Sequence, residues 1–78
     1  MQSLYVWKTR VGPIYIAESK GRFHVIYQDE SLGTYATPEQ AADDVAGGHT
    51  FSIPGGIDTA TLGISRYLNE WQRVKAGA

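Results

Sequence analysis

Over the first thirty-five residues, short runs of alternating apolar and polar positions are separated by breaks that leave the chain room only to turn back on itself. Leu4 to Thr9 is aliphatic and aromatic with few helix formers, and Ile14-Tyr15-Ile16-Ala17 repeats that character after the breaker Gly12-Pro13. Ser19-Lys20-Gly21 signals a turn. The run that follows, Arg22-Phe23-His24-Val25-Ile26-Tyr27, alternates so as to place Phe23, Val25 and Tyr27 on one face and His24 on the other. Gln28-Asp29-Glu30-Ser31 reverses the chain again, before the short strand Leu32-Gly33-Thr34-Tyr35. Parallel neighbours require a crossover of a dozen or more residues, so these spacings dictate an antiparallel meander.

Thr37-Pro38-Glu39-Gln40 then carries the marks of a helix start. The Thr37 hydroxyl can accept from a first-turn amide, Pro38 loses no needed donor at the first helical position, and Gln40 can complete a capping box. Ala41, Ala42, Val45 and Ala46 form a small-residue stripe suited to close approach to a sheet, with Asp43 and Asp44 toward water. Gly47-Gly48 ends the helix, which is predicted over 38–46. From His49 to Leu62 the chain is rich in Gly, Pro and Thr, an ordered loop tacked to the core by Phe51, Ile53, Ile57 and Leu62, with one more short strand expected around Phe51. Ile64, Tyr67, Leu68, Trp71 and Val74 recur at helical spacing and predict a second, C-terminal helix anchored by Trp71. The expected architecture is α+β: a three- to four-stranded antiparallel sheet packed by one helix, plus a C-terminal helix, in a single domain over residues 1–78.

At 78 residues and 42% hydrophobic, the chain has enough apolar surface for one thin core. Cysteine is absent, which rules out a disulfide framework and fits a reducing compartment. No apolar run approaches the roughly 18 residues of a membrane span. The opening Met1-Gln2-Ser3-Leu4 lacks the basic-then-apolar order of a secretory signal, so a cytoplasmic protein is expected. Self-association, in a homodimer, is the remaining way to supplement a small core.

The residues for chemistry are sparse. There is no Gly-x-Ser-x-Gly elbow, and no spacing brings His24 or His49 to a particular serine. Asp43 and Asp44 are adjacent on a helix and diverge by about 100°, so they do not converge on one ion. Gly47-Gly48 follows a helix, whereas phosphate-cradling glycines precede one. No catalytic residue, metal site or cofactor is therefore expected. Charge is distributed unevenly: Lys8, Arg10, Lys20 and Arg22 face only Glu18 in residues 1 to 22, while residues 23 to 65 hold six acids and no Lys or Arg. The basic stretch is interleaved with Tyr5, Trp7 and Tyr15, a mixture suited to stacking and phosphate contact. With His24 these make a candidate binding face of Tyr5, Trp7, Lys8, Arg10, Tyr15, Lys20, Arg22 and His24. The alternative is that the aromatics are core and the cations merely solubilise the sheet.

Gly21-Arg22-Phe23-His24-Val25, Leu32-Gly33-Thr34-Tyr35 and Thr37-Pro38-Glu39-Gln40-Ala41-Ala42 together resemble the strand, strand, helix run of the plant ethylene-response-factor type of DNA-binding domain. That resemblance implies a sheet backed by a helix. The family reads DNA with arginines and tryptophans on the sheet, and residues 23 to 36 contain neither. The longer run from Leu32 through Ala41-Ala42-Asp43-Asp44-Val45-Ala46-Gly47-Gly48-His49-Thr50-Phe51 to Trp71 is similar to a set of short bacterial proteins with no assigned activity, which implies a bacterial setting. The functional expectation is a small non-enzymatic binding or adaptor module with a protein partner. The alternative is a nucleic-acid-binding domain using the basic N-terminal hairpin. The first is preferred because nucleic-acid affinity comes largely from phosphate neutralisation and the chain as a whole is near neutral.

Overall fold

The computed structural model describes residues 2–50 and 55–74. In chain order the elements are β1 (Gln2–Thr9), β2 (Gly12–Ser19), β3 (Arg22–Tyr27), β4 (Glu30–Tyr35) and α1 (Pro38–Gly47). Two single-turn 3-10 helices follow, Thr59–Thr61 and Leu68–Glu70, and then a two-residue strand β5 (Gln72–Arg73). The strands form one antiparallel sheet in the order β4-β3-β2-β1-β5. The short turns produce this order directly. Lys20 and Gly21, at φ 55° and 76°, join β2 to β3, and Gln28 and Asp29, at 49° and 66°, join β3 to β4. Positive φ at both central residues is the mark of the mirror-image turns whose twist matches that of flanking strands.

α1 begins at its predicted first residue and ends one residue later than predicted, at Gly47. The Gln40 amide donates to the Thr37 hydroxyl at 3.2 Å, and Pro38 takes the first helical position. Gly48 adopts the left-handed conformation at φ 77°, which lets the His49 amide reach back to the Asp44 carbonyl at 2.9 Å. The buried Ala41, Ala42 and Val45 bring the helix against β2, β3 and β4. Beneath it Ile14, Ile16 and Val25 are 0% exposed. Tyr5, Trp7, Phe23 and Tyr35 extend this core toward its margins.

Two expectations are corrected. The sheet has five strands rather than three or four, and residues 64 to 74 form no C-terminal helix. The apolar spacing there serves other contacts: Ile64 and Trp71 are buried, while Tyr67, which a helical stripe would also bury, is 63% exposed. Ser65 diverts the backbone. Its hydroxyl accepts from the Tyr67 amide at 3.0 Å, and its carbonyl accepts from the Trp71 indole N–H at 2.8 Å. Such local side-chain bonds compete with a helical ladder. The chain then runs extended from Trp71 into β5, which pairs with Tyr5 and Val6, and the Val74 amide donates to the Leu4 carbonyl at 2.9 Å. Docking there satisfies part of the outer edge of β1, a gain that a helix would forgo. The strand expected around Phe51 lies outside the described residues.

β4 carries a bulge, since Val25 and Ile26 face Gly33 and Ser31, leaving Leu32 as the extra residue. Leu32 is buried at 2%. Two residues on, the Tyr35 ring folds back over Gly33, where an added Cβ would stand 2.5 Å from the Tyr35 hydroxyl oxygen. Burial, with the charge and hydrogen bonding of Asp44, pushes the Tyr35 hydroxyl from its ordinary value of 10.0 up to about 12.

Two outcomes follow from this packing. Gly48→Ala should destabilise the protein by about 1–2 kcal/mol or more in denaturant melts, because an alanine is strained at this φ and its Cβ would stand 2.9 Å from that of Ala60. For Tyr35, the raised pKa means that the folded state holds a proton which the unfolded chain releases. This contribution is complete below pH 10.0 and is lost as pH rises to about 12. Thermal melts across that window should show a flatter alkaline decline in Tyr35→Phe than in the parent.

Candidate binding face

The sheet has a covered side and an open side, and its alternation sorts the candidate residues between them. Tyr5 and Trp7 fall on the covered side, paired with Ile16 and Ile14. Trp7 meets Trp71 with ring centroids 5.8 Å apart and planes inclined at 56°, and the Arg73 guanidinium lies 5.7 Å from the centre of the Tyr5 ring. These two aromatics are therefore occupied in packing. Lys8, Tyr15, Arg22 and His24 share the opposite phase and stand on the open side. Arg10 and Lys20 occupy the turns at the two ends of β2, roughly 23 Å apart at the rise of an extended strand. Arg10 is tied to the Thr61 carbonyl at 2.9 Å. The eight candidates thus do not form one patch.

What they leave on the open side is a smaller face with a floor of its own. Val6, Tyr15 and Ile26 are direct cross-strand neighbours, and Ala17 and His24 form the next row. Ala17 is only 1% exposed and Val6 9%, so the half-buried Tyr15 and Ile26 carry most of the apolar surface this face offers. His24 Nδ1 is 3.2 Å from the Thr34 hydroxyl, which fixes the ring across β4. At the β5 margin a groove of about 580 Å³ is lined by Val6, Lys8, Pro13, Tyr15, Gln72 and Val74.

The floor residues Val6, Ala17 and Ile26 are missing from the sequence-derived candidates. Their signal is present in the alternation, but it becomes readable only once the register of three strands is known.

Seven of the eight acidic residues are off this face, and Asp29 borders it, lining a hollow with Tyr15 and Ile26. Glu18 and Glu30 fall in the phase of the covered side, paired with Phe23 and Tyr27. Asp29 is in the β3–β4 turn at the rim. Glu39, Asp43 and Asp44 are on α1, Asp58 caps the first 3-10 helix, and Glu70 is in the second. Asp43 pairs with Arg66 at 2.9 Å.

Among the described residues no three His, Asp or Glu side chains gather as metal ligands, and no helix is long and apolar enough to cross a membrane. No protein-family model matches the chain, and neither does any curated protein or solved structure.

The two sides should respond differently to substitution. Trp7→Ala should cost about 2 kcal/mol or more through lost burial and the lost Trp71 contact. Lys8→Gln and Arg22→Gln should each stay within about 0.5 kcal/mol. Urea melts of the three variants check this assignment of faces.

Proposed function

We propose that this chain is a small non-enzymatic binding or adaptor module that engages a protein partner through the open side of its sheet. The supporting observation is the contiguous Val6, Tyr15 and Ile26 strip, framed by Lys8, Arg22 and His24, on a side that the helical layer leaves uncovered. An apolar centre with a polar rim is the general form of a protein-binding patch. The cytoplasm is the compartment taken, in keeping with a chain free of cysteine.

Nucleic acid is the less favoured partner because the cations of the N-terminal hairpin are dispersed. Of the four hairpin cations only Lys8 and Arg22 stand on the open side, whereas affinity for a duplex grows with the number of phosphates neutralised. Backbone amide shifts of the labelled protein, recorded on adding bacterial lysate, should change along Val6, Tyr15, Ala17 and Ile26. Nuclease treatment of the lysate should leave those changes intact, and protease treatment should remove them. Loss on nuclease treatment, or matching shifts with a mixed oligonucleotide alone, would overturn the protein reading.

A further inference from the structure

Resting on that reading, we infer that the open side takes an extended acidic segment whose carboxylates lie six residues apart, with apolar residues between them. The argument begins from the separation of charge across the sheet. The open side carries Lys8 and Arg22 with His24 between the strand ends, and no strand acid shares its phase, Asp29 in the β3–β4 turn being the one carboxylate that borders it. Its complement is an anionic surface.

Position narrows the choice. Lys8 stands beside Pro13, and Arg22 beside Ser19. Six steps along β2 separate those partners, roughly 20 Å, and Lys8 and Arg22 are offset by two strand spacings of about 4.8 Å each. The diagonal between them is roughly 22 Å. An extended chain advances about 3.3 Å per residue and presents every second side chain to one side, so residues i and i+6 are about 20 Å apart and both point down. The long Lys8 and Arg22 side chains close the remaining gap. Residues i+2 and i+4 then descend onto the Val6–Tyr15 and Ala17–His24 rows, with Ile26 flanking the first.

A second copy docked face to face fits less well by the same reasoning, because it brings two faces of the same sign together. A phosphate backbone meets only two fixed cations and gains nothing from the apolar floor. The acidic peptide uses both.

The probe is a capped seven-residue peptide with aspartate at its first and seventh positions, valine at its third and fifth, and serine elsewhere. Its controls carry lysine at both ends, or the two aspartates side by side. Titrated against the full chain, the first peptide should shift the amides of Val6, Lys8, Tyr15, Ala17, Arg22 and Ile26. It should bind several-fold more tightly than either control, and more weakly as salt rises from about 50 mM to about 200 mM. Reversing both cations, Lys8→Glu with Arg22→Glu, should weaken it by roughly tenfold, the scale of two exposed ion pairs, and transfer the preference to the lysine-ended peptide. An unchanged amide pattern elsewhere in the variant shows that it is folded.

Equal binding of the lysine-ended peptide overturns the acidic occupant, yet leaves the binding-module reading standing if lysate protein still shifts the face. If neither peptide nor lysate protein shifts it, both fall. Shifts at these amides on concentrating the protein alone would make a second copy the occupant, and tighter binding of a mixed oligonucleotide would make it nucleic acid. Either result overturns the inference.

Discussion

The close approach of α1 to the sheet is the contact on which the rest of the molecule depends. Ala41 and Ala42 project so little that β2 and β3 lie directly beneath the helix, and Ile14, Ile16 and Val25 lose all exposure to water. A larger residue at either alanine would lift the helix and open the centre of a core that has few other fully buried side chains. The helix reaches this position because its two ends are fixed. Thr37 starts it immediately after β4, and Gly48 stops it where the first 3-10 turn packs against the C-cap. With only one short helix available, the covered area is limited, and the β1 side of the sheet must be closed by other means.

That closure comes from the segment ending in β5. Trp71 is 4% exposed, tilts against Trp7, and spends its indole N–H on the Ser65 carbonyl. A helix through residues 64 to 74 would bury the same tryptophan while leaving the outer edge of β1 without a partner. The extended course buries Trp71 and also pairs β1 at Tyr5 and Val6. At the opposite edge, the bulge at Leu32 interrupts the regular ladder of β4, which discourages pairing with another chain.

The local elements are legible in the sequence because their signals are local. The capping residues of α1, the alternation through β3 and the glycine at Gly48 each act within a few residues of where they stand. The course of the C-terminal segment is not legible in this way, because the spacing of Ile64, Tyr67, Leu68, Trp71 and Val74 fits a helix equally well, and the deciding interaction, pairing with β1, joins residues far apart in the chain. The same limit applies to the candidate face. Tyr5, Trp7 and Tyr15 look alike as aromatics near cations, and only register separates the two that pack beneath the helical layer from the one that does not. His24 is the case where phase within a single strand was enough.

A formal net charge of −1 conceals how the charges are arranged in space. The strand phases place Lys8 and Arg22 on one side, while Glu39, Asp43 and Asp44 stand on α1 on the other, where Arg66 pairs with Asp43 and Arg73 lies over Tyr5. Such a division costs little in stability, since exposed charges are screened over about 8–10 Å at physiological salt. In the proposed function its effect falls on encounter, since an anionic partner is steered toward the side of Lys8 and Arg22 before contact. Orientation of this kind matters most for a face with so small an apolar strip as Val6, Tyr15 and Ile26. Under the proposed function, a partner that arrives misaligned finds little else to hold it.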